Sequence, residues 1–125
     1  IANLENYYGA ISSIDDQVGA LVRELKNEGI YENTVFVFTA DHGEMLGSHD
    51  RMGKRVWFEE SIGVPLIVSY PQKLLTSNIA NGVIAEYDIM PTILGLMGLP
   101  VPIQAEGTDY SPFLEASGEI PTEEG

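Results

Sequence analysis

The sequence contains no cysteine, so its 125 residues hold no disulfide, no zinc–thiolate site and no cysteine nucleophile. It is also poor in basic residues. Six Lys and Arg stand against nineteen Asp and Glu, which gives a formal net charge of −13. Such an excess of negative charge disfavours nucleic acid and anionic membrane surfaces, so we expect neither as a partner. No apolar run approaches the length of a transmembrane helix.

Several catalytic motifs are missing as well. The sequence has no H-E-x-x-H and no G-x-S-x-G, and its glycines do not form a phosphate-binding P-loop. His42-Gly43-Glu44 matches the H-x-E half of the nucleobase-deaminase motif, but the P-C-x-x-C half is absent. Ser48 and His49 are neighbours in sequence, which is no indication of a nucleophile–base hydrogen bond.

What is present predicts an α/β fold in one domain of ordinary size with a packed core. Apolar residues recur at three- and four-residue steps from Leu4 to Leu25, which predicts a long amphipathic helix capped near Gly29. The run Thr34–Thr39 is entirely β-branched or aromatic, which predicts a strand buried on both faces.

Weaker patterns predict the remaining elements. We expect Asp88 to be the N-cap of the later helix, with Gly98 beyond its end. The predicted segments are a strand at Val64–Tyr70, an exposed loop at Gln72–Asn78, a short strand at Gly82–Glu86, a helix at Asp88–Met97, a helical turn at Ser111–Ala116 and a disordered acidic tail at Ser117–Gly125.

Chemistry-bearing residues gather after the first strand. Asp41 and His42 follow it directly, where open α/β sheets place their ligands. Three of the six basic residues lie within Arg51–Arg55, close to His49. The loop either holds an anion beside a metal ion or is a solvated loop whose charges pair with nearby acids. Lys54 is the best candidate for gripping an anion, the alternative being an ordinary surface lysine.

Asp41 and His42 can reach one metal ion where the strand turns. Two protein ligands are too few, because even sparse catalytic metal centres take three. The sequence shows no other carboxylate cluster clearly placed to help. We therefore expect a site that other parts of a protein would complete.

Three segments together resemble the C-terminal part of the catalytic domain of type I sulfatases, in the alkaline phosphatase superfamily. They are FTADHGEMLGSH at 38–49, GK at 53–54 and FEESIGVPLIV at 58–68. The likeness continues through the first helix and through YDIMPTILGLMGLPVP at 87–102, and so covers about Leu4 to Leu114. It implies a partial alkaline-phosphatase-like sandwich with a few sheet strands and flanking helices.

The resemblance also implies roles. Asp41 and His42 match the family's second pair of metal ligands, and Lys54 matches the lysine that binds the sulfate group. His49 falls in the family's frequent G-x-H element, which implies a catalytic or neighbouring role. Gly63 stands where an arginine is common. The resemblance favours Ca²⁺, although an imidazole ligand better suits Zn²⁺ or Mn²⁺.

The family's nucleophile is a formylglycine made within a C/S-x-P-S-R motif, which this sequence lacks. We therefore expect residues 1–116 to be the C-terminal portion of a catalytic domain whose missing N-terminal half completes the site. The fragment alone should be inactive and should self-associate through exposed sheet edges. The resemblance implies a parent that hydrolyses a sulfated glycan or a small sulfate ester, and it suggests an extracytoplasmic location that the sequence itself does not fix. The alternatives are a phosphonate or phosphodiester hydrolase and a non-catalytic metal- or anion-binding module.

Overall fold

The fold is described from a computed structural model, which describes residues 2–75, 79 and 82–116. The predicted disordered tail at 117–125, and the end of the predicted loop at 76–78, lie outside the described residues. The elements in chain order are α1 (Ala2–Asn27), β1 (Phe36–Thr39), α2 (Glu59–Ile62), β2 (Leu66–Ser69), α3 (Glu86–Leu96) and α4 (Ser111–Glu115), with single 3₁₀ turns at Tyr31–Asn33 and Ser48–Asp50.

The described residues divide into two compact units. The first contains α1, β1, α2 and most of β2, in the residues up to 32 together with 36–68. The second contains residues 33–35 and the residues described after 68, among them α3 and α4. None of the described helices is both long enough and apolar enough to cross a membrane.

The long first helix is confirmed, with an end set by Gly29. Gly29 adopts a left-handed φ of 71°, and the Ile30 N–H then donates to the Leu25 carbonyl at 3.0 Å. The apolar stripe that predicted the helix is only partly covered by the rest of the described chain. Six of its large side chains are each at least 42% exposed: Leu4, Tyr7, Tyr8, Ile11, Ile14 and Leu21.

The sheet confirms both predicted strands but corrects the expected burial. β1 and β2 pair with each other in a two-stranded sheet. Phe36 and Val37 are half-buried, whereas Phe38 and Thr39 are exposed, so the prediction of a strand buried on both faces is wrong here. β-branched and aromatic residues indicate a strand whose faces can pack against other elements. The described residues cover only part of β1.

The second unit corrects two predictions around α3. The predicted strand at Gly82–Glu86 is wrong, because this segment pairs with no strand in the described part of the chain and α3 begins at Glu86. Asp88 is not the N-cap but the third helical residue, and its Oδ2 accepts from the Ala85 N–H at 2.8 Å. Its Oδ1 accepts from the Thr108 N–H at 2.7 Å, and the side chain is 4% exposed. One carboxylate therefore caps α3 and fixes the segment before α4.

Helices α3 and α4 pack closely because one residue between them has no side chain. A Cβ at Gly95 would overlap Ser111 Oγ and the Asp109 carboxylate. Thr92 adds a hydrogen bond, its Oγ1 accepting from the Tyr110 N–H at 3.0 Å. Leu96, the last residue of α3, is fully buried. The predicted helical turn at 111–116 is thus confirmed as α4.

We predict opposite effects for two glycine-to-alanine changes in helices. Gly9→Ala in α1 meets open space and should stabilise the protein by up to about 1 kcal/mol, because alanine is the better helix former. Gly95→Ala should destabilise it by about 1–3 kcal/mol through overpacking against α4. Urea unfolding of both variants measures the difference, and a stabilising Gly95→Ala would contradict the packing described above.

Candidate functional site

The turn after β1 is pinned against α2. The Gly43 N–H donates to the Ser61 carbonyl at 2.8 Å. A Cβ at Gly43 would overlap the Glu60 carbonyl, so only glycine permits this approach. The contact fixes the backbone directly after Asp41 and His42. It therefore sets where these two side chains emerge from the end of the strand.

Asp41 and His42 place two metal-ligand atoms side by side. Asp41 Oδ2 lies 3.1 Å from His42 Nε2, with side chains 83% and 34% exposed respectively. His42 Nδ1 lies 2.8 Å from the Gly43 carbonyl oxygen, which can only accept, so we assign the ring hydrogen to Nδ1. In the neutral form of the ring, Nε2 then has the lone pair with which it can bind a cation. This tautomer is the one a metal-binding or cation-accepting imidazole needs.

Lys54 reaches the same point from twelve residues further along the chain. Its Nζ contacts His42 Nε2. An ammonium can only donate a hydrogen bond, which Nε2 of the Nδ1–H tautomer can accept. The structure therefore brings together Asp41, His42 and Lys54, as the sequence predicts. Their chemical roles stay predictions.

A tight loop returns the chain from His42 to Lys54. Glu44 Oε1 accepts from the Gly53 N–H at 2.6 Å, and the Met45 N–H donates to the Gly53 carbonyl at 2.9 Å. Met45 is buried beneath the loop. Leu46, His49 and Asp50 have left-handed φ values of 46°, 53° and 53°, a conformation that costs energy for non-glycine residues. The hydrogen bonds of Glu44 and Met45 help to offset that cost.

His49 lies elsewhere in this loop. Its ring stacks on Phe58 with centroids 4.1 Å apart, and its Nε2 lies 3.5 Å from Glu60 Oε1. None of the described hydrogen bonds or ion pairs joins it to Asp41, His42 or Lys54. The structure thus places His49 on the residues that begin α2. A catalytic role for His49 stays a prediction that these contacts do not test.

The basic loop keeps its charge largely uncompensated. Among the described residues, the ion pairs do not include Arg51, Lys54 or Arg55. The solvated-loop alternative expects the loop's charges to pair with Asp50, Glu59 and Glu60. Among the described residues the one such contact joins His49 to Glu60. Unpaired positive charge beside Asp41 and His42 is suited to an anion.

The donor set fits part of a divalent-metal site. Asp41 and His42 offer one oxygen and one nitrogen ligand, a mixed pair that Zn²⁺ and Mn²⁺ accept readily and Ca²⁺ less so. No group of three or more His, Cys, Asp or Glu able to hold a metal occurs in the described part of the chain. A complete coordination shell would need ligands in addition to these two.

Sequence reasoning missed two residues that shape the site, Glu44 and Ser61. Glu44 holds the loop closed at Gly53, as described above. Ser61 is 2% exposed and donates its Oγ–H to the Lys54 carbonyl at 2.6 Å. The only sequence signal for either was its position within the segments at 38–49 and 58–68, which does not indicate a hydrogen-bond partner.

Comparison with known proteins gives a family match. The family model described as Sulfatase matches residues 2–99. An N-acetylglucosamine-6-O-sulfatase of Bacteroides thetaiotaomicron is 31% identical over 96% of this chain, and an ulvan-active sulfatase of Formosa agariphila is 37% identical over 90%. The chain spans 22% of the length of each of these curated relatives.

Solved structures agree with this match. A protein solved with its substrate D-glucosamine-2-N,6-O-disulfate superposes with a TM-score of 0.82, 32% identity and 90% coverage of this chain. The phosphonate monoester hydrolase of Agrobacterium radiobacter gives a TM-score of 0.82, 36% identity and 91% coverage. The chain covers 23% of each of these structures. The α/β architecture is therefore that of this wider group of hydrolases.

We predict that Glu44→Ala loosens the loop at its closing point. The Gly53 N–H loses a charged acceptor worth about 1.5–3 kcal/mol, so its amide hydrogen exchange should speed up at least about tenfold. Exchange measured by NMR or mass spectrometry checks this. Glu5→Ala, in the exposed first turn of α1, is the matched control. Unchanged protection at Gly53 would show that Glu44 does not close the loop.

Proposed function

This chain belongs to the sulfatase family, and we propose that it forms part of the catalytic domain of a sulfuric ester hydrolase. The observation that carries the proposal is the convergence of Asp41, His42 and Lys54 at one point after β1. In the proposed site, Asp41 and His42 bind a divalent metal ion and Lys54 binds the sulfate group of the ester. The remaining ligands and the nucleophile come from parts of the protein outside these 125 residues.

The residues present can do three things for this reaction. The Asp41 carboxylate and the His42 Nε2 lone pair hold a cation. The Lys54 ammonium neutralises charge on a sulfuryl oxygen as the ester bond breaks. The hydrogen bond from His42 Nδ1 to the Gly43 carbonyl orients the imidazole. The metal, which we propose to be Ca²⁺ with Zn²⁺ or Mn²⁺ as alternatives, supplies Lewis-acid polarisation.

The proposed nucleophile is a formylglycine, because the family uses one. No C/S-x-P-S-R motif occurs in these 125 residues, so the nucleophile would come from another part of the protein. The proposed substrate is a sulfated glycan or a small sulfate ester. The support is in the names of the relatives, which act on N-acetylglucosamine 6-O-sulfate or ulvan. This chain should then be the C-terminal portion of the catalytic domain, and its partly exposed α1 stripe and strand β1 should contact the remainder.

A phosphonate monoester hydrolase is the second candidate. The support is the Agrobacterium radiobacter structure, which matches with a TM-score of 0.82. The same three side chains would serve a phosphonate ester, because it also presents an anionic oxygen to the ammonium and the metal. Kinetics of the full-length protein on a matched aryl sulfate and aryl phosphonate ester distinguish the two candidates.

A non-catalytic metal- or anion-binding module is the third candidate. It requires a complete metal shell within the chain, whereas the described residues offer two adjacent donors. This arrangement supports an enzyme site shared with other parts of the protein. We also propose that the isolated chain self-associates through the exposed edges of its two-stranded sheet.

We predict that Lys54→Ala in the full-length protein lowers kcat/KM on an aryl sulfate by about a hundredfold or more, the usual cost of removing one group that stabilises transition-state charge. Lys26→Ala is the matched control, because Lys26 lies in the last turn of α1 and contacts the Tyr31 ring. Steady-state kinetics with both variants provide the test. Equal activities of the two variants would remove Lys54 from the site.

We predict that Asp41→Ala and His42→Ala each weaken metal binding by the full-length protein at least about tenfold. Mutating a residue that only hydrogen-bonds to a metal ligand already lowers metal affinity by that factor. Titration calorimetry with Ca²⁺, Zn²⁺ and Mn²⁺ measures the affinities and identifies the preferred ion. Asp15→Ala, on the exposed side of α1, is the control. Unchanged affinity in both site variants would rule out this pair as the ligands.

A further inference from the structure

We propose that Ser61 is a positioning residue that sets Lys54 against His42. The proposal rests on the proposed function, because it concerns how the sulfate-binding amine is held beside the metal-ligand pair. Among the described hydrogen bonds, those of Ser61 go to main-chain atoms and not to the side chains of Asp41, His42 or Lys54. It acts through the backbone on both sides of the site.

Ser61 bonds to both arms of the site at once. Its backbone carbonyl accepts from the Gly43 N–H at 2.8 Å, next to His42. Its Oγ–H donates to the Lys54 carbonyl at 2.6 Å. Residues 43 and 54 are also linked through the loop, where Glu44 and Met45 bond to Gly53. Ser61 adds a direct link between the backbone that carries the imidazole and the backbone that carries the ammonium.

The surroundings leave little freedom for this serine. It lies in the single turn α2, where its own N–H donates to the Phe58 carbonyl at 2.8 Å, and its residue is 2% exposed. Glycine at 43 allows the Glu60 and Ser61 carbonyls to approach the turn. The backbone N–H and carbonyl of Ser61 are thus both hydrogen-bonded to other main-chain atoms. Its side-chain hydroxyl bonds to the Lys54 carbonyl.

Removing the hydroxyl has a local and a chemical consequence. The Lys54 carbonyl loses the hydroxyl that donates to it. The Gly53 N–H still donates to Glu44, so the backbone near Lys54 becomes more mobile but keeps its place in the loop. The ammonium then spends less time beside His42. We therefore expect partial loss of sulfate binding in a folded protein.

The test uses the full-length protein and two readouts, kcat/KM on an aryl sulfate and the inhibition constant of inorganic sulfate. Ser61→Ala should lower kcat/KM and weaken sulfate inhibition by about tenfold each, the ratio that 1.4 kcal/mol produces. Ser61→Thr keeps the hydroxyl and should recover most of both. Ser13→Ala, on the exposed surface of α1, is the matched control and should change neither.

A double variant separates positioning from a general structural effect. In a Lys54→Ala background, Ser61→Ala should cause no further loss in kcat/KM, because the amine it positions is gone. A full additional tenfold loss there would overturn the proposal. So would wild-type kinetics in Ser61→Ala. If Ser61→Ala does not fold, Ser61→Cys is measured instead, since it keeps an atom at the γ position with a weaker donor and should show the same pattern.

A crystal structure of the Ser61→Ala protein makes the result independent of the proposed activity. The proposal expects Lys54 Nζ displaced from His42 Nε2, with Gly43 still bonded to the residue-61 carbonyl. A Lys54 side chain that stays on His42 overturns it even in an inactive protein. Wild-type protein that hydrolyses neither sulfate nor phosphonate esters would instead overturn the proposed function, while the structure still decides the role of Ser61.

Discussion

The candidate site depends on one backbone contact, the approach of Gly43 to the carbonyl groups of Glu60 and Ser61. Without a side chain at 43, the turn after β1 lies directly on α2, and the Gly43 N–H finds an acceptor there. A buried N–H left without a partner would cost a few kcal/mol, so the hydrogen bond and the close approach support each other. The positions of His42 and Lys54 both follow from this contact.

Charge is distributed so that the site differs from the rest of the chain. The protein is strongly acidic overall, yet Lys54 contacts the His42 ring, and Lys54, Arg51 and Arg55 form no ion pairs among the described residues. An ammonium without an ion-pair partner keeps more of its attraction for an anion than one paired with a carboxylate. Asp41 Oδ2 lies 3.1 Å from the same His42 nitrogen that Lys54 contacts, so a carboxylate and an ammonium meet at one point of the site.

The sequence was sufficient to predict elements whose cause is local. The 3.6-residue period of α1, the left-handed residue at Gly29 and the strand composition of β1 are properties of neighbouring residues, and all three appear in the structure. The motif around Asp41 and Lys54 likewise predicted which side chains would meet. The likeness to a known family gave those residues their expected roles.

The errors arose where distant residues decide the outcome. Asp88 looked like an N-cap, but its carboxylate is drawn between Ala85 and Thr108, and a partner twenty residues away leaves no local pattern. The segment 82–86 has apolar residues typical of a strand but no neighbouring strand to pair with among the described residues. Ser61 went unnoticed for the same reason, because its partners Gly43 and Lys54 are separated from it in sequence.

The shared match to sulfatases and to a phosphonate monoester hydrolase has a physical explanation in these residues. A sulfate monoester and a phosphonate monoester each carry one negative charge near a single ammonium, so the Coulomb attraction to Lys54 is similar for both. Specificity is a difference between two affinities, and a contact that treats both ligands alike contributes nothing to it. Contacts of the kind proposed for Lys54, Asp41 and His42 would therefore not distinguish the two ester classes. Discrimination must come from groups that contact the non-reacting part of the substrate or from the nucleophile itself.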